Sequence, residues 1–212
     1  ALAVTVLQML NAIYCGLVLW QNNKETIDFS VFWDMSVSSF ASRLSIDYFT
    51  VTVLFIIGMV SMISVLVAKG TINEKPLNYT NLLMVIIMGM NGLVLVTDLF
   101  SLYVFLEITG IASFVLIALF KSKEGLEGAF KYLLMSAVAT VFLLTSIAFI
   151  FMETGSLLYK DIATYLLSLN ADTTSVFMLI AFILFIAAVA VKSGMMPFHG
   201  WLPDAYQSAP AA

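Results

Sequence analysis

The chain has 212 residues, 62% of them hydrophobic and only 10% charged, with a formal net charge of −4. Soluble domains carry about 25% charged residues, so this composition excludes an ordinary soluble domain. A single cysteine, Cys15, excludes a disulfide framework within the chain and any multi-cysteine iron–sulfur or zinc site, and a single histidine, His199, argues against a histidine-rich metal or haem site. No basic patch points to nucleic acid.

Apolar runs of about 20 residues are candidate membrane helices. Six are read in chain order, at 1–20, 48–68, 77–97, 98–120, 129–152 and 174–196. The chain opens directly in the first run, with neither an initiator Met nor a basic n-region, so it reads as a chain already under way with no cleaved signal peptide visible. Residues 21–47 are too polar to span. Val31, Phe32, Trp33 and Phe40 predict that this segment packs against the membrane domain. Trp20, Trp33, Tyr48 and Tyr79 fall near helix ends, where aromatic rings favour the interface. The third and fourth helices meet around Thr97-Asp98 with almost no loop, which predicts an antiparallel pair. Lys69 and Lys75 lie in the short loop 69–76, and Lys121 and Lys123 in the short loop 121–128. Short basic loops weigh most in setting orientation, which puts these two loops, and the segment after Lys192, on the cytoplasmic side. Segment 21–47, with Lys24 and Arg43, and loop 153–173, with Lys160, then lie on the opposite side.

Four charged or titratable residues sit where the membrane should exclude them or where a helix stops. Glu107 is near the middle of run 98–120, between Leu106 and Ile108. A carboxylate at that depth costs at least a few kcal/mol, so it serves proton handling, a structural ion pair or a helix–helix hydrogen bond. Lys192 ends a long uncharged run and is followed by Ser193, Gly194 and Pro197, which interrupt a helix. It is either a snorkelling lysine or a buried one at a helix break facing a cavity. Lys131, near the start of the fifth helix, reads by itself as interfacial. His199 titrates near neutral pH and lies just past the break. Asp98 and Asp204 read as caps or loop acids, and the 12 methionines as apolar packing.

These residues fall into recognisable motifs. Val189-Ala190-Val191-Lys192, then Pro197-Phe198-His199-Gly200-Trp201-Leu202-Pro203-Asp204-Ala205 and Ala209-Pro210, resemble the signature of the antiporter-like proton-translocating subunits of complex I. The same family includes the large subunits of Mrp-type Na+/H+ antiporters and the ion-pumping subunits of membrane-bound hydrogenases. Asp98-Leu99-Phe100 through Phe105-Leu106-Glu107 resembles the family helix that carries its key glutamate, and Gly128-Ala129-Phe130-Lys131-Tyr132 the start of the next. Arg43-Leu44-Ser45-Ile46-Asp47 resembles the lead into the helix before the core repeat.

The resemblance implies an all-α polytopic membrane protein. It would be a partial antiporter-like inverted repeat of about six helices, the last broken near Lys192–Pro197. It implies that Glu107 pairs with Lys192 or Lys131, that Lys192 is the central titrating lysine, that Lys131 modulates Glu107, and that His199 contributes from the loop. It further implies a redox-inactive, ion-translocating subunit that binds no cofactor, with redox cofactors in partner subunits. The expected partners are other membrane subunits, the lipid bilayer, and protons or sodium ions. The expected location is a prokaryotic plasma membrane or a mitochondrial-type inner membrane. Family members have two inverted repeats, and only part of one is present here, so translocation is expected to need further sequence or partner chains. Ser193-Gly194-Met195-Met196 also replaces an earlier proline at the break. Three functions follow: a proton-translocating subunit of a redox-driven complex, a Na+/H+ antiporter subunit, or a structural subunit that moves nothing.

Overall fold

The structure, a computed structural model, describes residues 1–21, 25–30, 43–72, 76–168 and 175–209. Lys24, Val31, Phe32, Trp33, Phe40, Lys75 and Pro210 therefore lie outside the described residues. Helix α1 (Leu2–Gln21) is followed by strands β1 (Thr26–Ser30) and β2 (Arg43–Asp47). Helices α2 (Tyr48–Thr71), α3 (Pro76–Leu95), α4 (Leu99–Ile117) and α5 (Lys123–Thr154) come next. The short α6 (Tyr159–Ser168), then α7 (Val176–Lys192), a 3-10 turn (His199–Trp201) and α8 (Leu202–Ser208) complete the chain. Helices α1 to α5 are each long and apolar enough to cross a membrane, and α7 is apolar with 17 residues. Leu7, Phe49 and Leu77 are all more than 60% exposed. Apolar side chains so open on helices of this length face lipid, and the chain is an integral membrane protein.

The helix starts are written in the sequence. Asp47, Asp98, Ser122 and Ser175 each cap a helix by accepting a hydrogen bond from a backbone N–H three residues on. The end of α7 is a Schellman motif. Gly194 sits at φ +65, its N–H donates to Val191 O at 3.2 Å, and Met195 N donates to Ala190 O at 2.9 Å. The helix expected to run to 196 thus stops at Lys192, and a cis Met196–Pro197 bond leads into the 3-10 turn.

Elsewhere the expected boundaries shift for identifiable reasons. The loop expected at 121–128 is mostly helix, because α5 starts at Lys123 behind the Ser122 cap with Glu124 in its first turn. Two glycines and four charged residues disguised that turn from hydropathy. The loop expected at 153–173 contains α6, which is too short to span. Its Ile162, Tyr165 and Leu166 pack on the core, and the Tyr165 hydroxyl donates to Glu153 Oε2 at 3.2 Å. In the segment expected to lie against the membrane domain, β1 and β2 form an antiparallel hairpin pairing Ile27 with Ile46 and Phe29 with Leu44. The alternation Thr-Ile-Asp-Phe-Ser and Arg-Leu-Ser-Ile-Asp carried that signal. Leu44 also bridges to Val96, and Asp98 to Leu158, so hairpin, α3–α4 turn and α5–α6 turn meet at one end of the molecule.

The core centres on α5. Leu143, Ile147 and Ile150 on α5 meet Met178, Ala181 and Ala188 on α7, all at most 4% exposed. Small alanines let the two backbones approach, and the fully buried Ser146 hydroxyl donates across the seam to Ala181 O at 2.7 Å. A second cluster joins α2 and α3 through Ile57, Ile72, Tyr79, Leu83 and Ile87. Gln8 of α1 ties three helices, donating to Asn91 Oδ1 at 2.9 Å and to Leu54 O at 3.3 Å.

Candidate functional site

Rigid packing of α4 and α7 against α5 sets the site. Glu107, mid-way along α4, faces Lys192, the last residue of α7, and Lys192 Nζ lies 2.5 Å from Glu107 Oε1. The two side chains are 21% and 16% exposed, respectively, so the pair is largely out of contact with bulk solvent. Thr140 of α5 donates to the same Oε1 at 2.7 Å. Ser136, one turn earlier on α5, receives Lys192 Nζ at 3.4 Å on its hydroxyl. Thus α5 offers one hydroxyl to each ion. Charge-assisted bonds of this kind are what make a charge tolerable in an apolar interior.

An aromatic stack joins α4 and α5 to the segment after the helix break. Tyr132 of α5 stacks on Trp201 with centroids 4.4 Å apart and planes 6° from parallel, and Phe114 of α4 meets Tyr132 edge-on at 6.3 Å. Trp201 Nε1 donates to Val191 O at 3.3 Å, so the carbonyl beside Lys192 is held from the far side of the helix break. The segment following the break folds back onto the start of α5. There a Cβ on Gly128 would come within 2.9 Å of Asp204 O, so only glycine admits α8 this closely.

Lys131 does not join the pair. Its Nζ lies 2.5 Å from Asp204 Oδ2 and 2.8 Å from Glu127 Oε1, and all three side chains are more than 40% exposed. Of the two lysines considered for Glu107, the helix register gives it Lys192 and leaves Lys131 to fasten α8. His199 is exposed on the 3-10 turn, away from the bonds that hold the pair. Asp98 is buried at 7% and caps α4, while Asp204, read from sequence as a cap or loop acid, is the partner of Lys131. Thr140, Ser136, Tyr132 and Trp201 are site residues that sequence reasoning does not single out. The signal for the first two was their i, i+4 spacing, which puts both hydroxyls on one face of an apolar helix. Among the described residues, no group of three or more His, Cys, Asp or Glu side chains comes together as a metal site would require.

The sequence profile of the NADH:quinone oxidoreductase/Mrp antiporter transmembrane family matches residues 96–212. The chain belongs to that family. Within it, the chain is 32% identical over 178 residues to NADH-quinone oxidoreductase subunit N of Francisella tularensis subsp. holarctica, covering 82% of this chain and 37% of that protein. It is 30% identical over 206 residues to a Na(+)/H(+) antiporter subunit of Alkalihalophilus pseudofirmus, covering 96% of this chain and 40% of that one. Among solved structures it superposes on a chain of the membrane-bound sulfane sulfur reductase, an archaeal respiratory membrane complex. The TM-score there is 0.86, with 27% identity over 99% of this chain and 42% of the other. The antiporter-family relatives named here are subunits of multi-subunit membrane complexes, and the chain spans about two fifths of their length. The site lies wholly inside the matched region, with Glu107, Ser136, Thr140 and Lys192 on three adjoining helices.

Proposed function

We propose that this chain forms part of a proton-translocating subunit of a redox-driven membrane complex and that Glu107 and Lys192 handle the proton. The observation that carries the reading is the 2.5 Å ion pair between them, held inside a helix bundle by two hydroxyls of α5. Protonating Glu107 removes the charge that holds the Lys192 ammonium, and the pair opens. Reforming it requires the proton to leave. At the effective dielectric of a protein interior such a pair couples by several kcal/mol at most, enough to link two sites without trapping either. In this reading Lys131 and His199 act from the rim, redox chemistry and its cofactors belong to partner subunits, and this chain binds none. Lysine bias puts Lys69, Lys121, Lys123 and the segment after Lys192 on the cytoplasmic side.

The test is proton uptake by the parent complex in sealed vesicles, read with an internal pH dye while redox turnover is followed separately. Glu107→Gln and Lys192→Ala are expected to abolish proton uptake and leave assembly intact. Uptake that survives both substitutions would refute the reading. A second reading, sodium/proton exchange, is supported by the similarity across 96% of this chain to a protein named as a Na(+)/H(+) antiporter subunit. Whether proton movement needs sodium at fixed ionic strength separates the two.

A further inference from the structure

The Thr140 hydroxyl can do more than hold the ionised pair. Its hydroxyl carries one proton, yet two acceptors lie within reach: Glu107 Oε1 at 2.7 Å and its own i−4 carbonyl, Ser136 O, at 2.9 Å. Glu107 Oε1 already receives Lys192 Nζ, so Thr140 and Lys192 converge on one carboxylate oxygen. A hydroxyl has one donor and two acceptor lone pairs and rotates to suit its neighbours. Opposite an ionised carboxylate it donates, because a charged acceptor outcompetes a neutral carbonyl. Opposite a protonated carboxyl it can turn its own proton to Ser136 O and accept the carboxyl proton on the freed lone pair. Both geometries fit the same two distances without moving the backbone.

We propose that Thr140 is a positioning residue for Glu107, switching from donor to acceptor as Glu107 gains a proton and so holding the carboxyl in place in both protonation states. This rests on the reading of Glu107 and Lys192 as proton carriers. The exchange balances simply. One proton from outside the pair binds the Glu107 carboxylate, and Lys192 stays an ammonium. The Thr140 O–H bond stays intact and only rotates. Ser136 completes the arrangement from the same face of α5, since its hydroxyl lies 3.4 Å from Lys192 Nζ and gives the ammonium a contact when Glu107 is neutral. Without Thr140 the protonated carboxyl has no fixed acceptor and its proton no defined direction.

The experiment uses the complete parent complex, reconstituted in vesicles, with Thr140→Val, Thr140→Ser and Glu107→Gln. Two readouts are followed: the initial rate of proton uptake, and the infrared carbonyl band of protonated Glu107, identified by its loss in Glu107→Gln. Thr140→Val keeps the shape and removes the hydroxyl. It is expected to move the band to higher frequency and slow uptake about tenfold, the worth of one ordinary hydrogen bond. Thr140→Ser is expected to restore both. A Thr140→Val complex with unchanged band and rate overturns the inference and leaves the proton-carrier reading standing. A rate that falls in Thr140→Val and stays low in Thr140→Ser also overturns it, because a hydroxyl at this position would then not be enough to restore uptake. Full uptake in Glu107→Gln removes the underlying reading and this inference with it.

Discussion

Replacing Lys192 by methionine leaves the Glu107 carboxylate, 21% exposed, with the Thr140 hydroxyl as its remaining hydrogen-bond partner among the described residues. Two unit charges about 4 Å apart attract by about 4 kcal/mol at an effective dielectric of 20, the value that suits partly buried sites. Part of that attraction is repaid when water reaches the stranded carboxylate, and the residual exposure of the site allows some water in. Removing one partner of a fully buried pair costs roughly 3–5 kcal/mol, and discounting for this exposure leaves about 2–3 kcal/mol. Removing both charges, in Lys192→Met with Glu107→Gln, leaves no orphaned ion and is expected to cost only about 1 kcal/mol. The pair should therefore be strongly non-additive. The assay is SDS-induced unfolding of the purified protein in mixed micelles, followed by circular dichroism, for wild type, both single variants and the double variant. If the two single effects add to within about 0.5 kcal/mol, the charges do not interact across the α4–α7 seam and the site as described is wrong.

Three further outcomes follow from the same structure. Lys131→Ala breaks exposed contacts to Glu127 and Asp204 and is expected to shift the same unfolding transition much less than Lys192→Met does. Gly128→Val drives a side chain into Asp204 O and is expected to undock α8. With Trp20 and Trp33 replaced by Phe, the fluorescence of Trp201, buried at 7% and stacked on Tyr132, should shift to the red, and an unchanged spectrum would show that α8 is held elsewhere. Asp47, outside the membrane helices, has its carboxyl held below the ordinary value of 3.8 by the Thr50 N–H that it caps. A lowered folded value means that the cap stabilises above the ordinary carboxylate range and is lost as pH falls through the lowered value. Asp47→Ala should therefore cost about 1 kcal/mol at neutral pH. The difference from wild type should shrink in acid, whereas Asp47→Asn should keep the cap without that pH dependence.

Much of the chain is legible in its residue order alone, because hydropathy and capping are local. Apolar run length marked α1 to α5 as membrane helices, Asp98 announced a helix start, and Gly194 announced a stop. The cost of a carboxylate in an apolar run singled out Glu107, and the broken helix singled out Lys192, each from its own neighbours. Local signals misled where tertiary packing stabilised what propensity did not. The polar first turn of α5 is capped by Ser122, the next turn packs on α8 at Gly128, and the short α6 rests on the core through Ile162 and Leu166. Which lysine meets Glu107 was beyond the sequence, because the partners lie 85 positions apart and their meeting depends on the rotation and register of α4 and α7 about α5. That register is fixed by buried alanines, the Ser146 bond and the Schellman turn acting together. The same packing brought Thr140 to the carboxylate and Asp204 to Lys131. The sequence by itself determined which chemical groups the membrane would have to accommodate. Only the tertiary structure determined which of them touch, because contact depends on helix rotation and depth, and no local pattern encodes either.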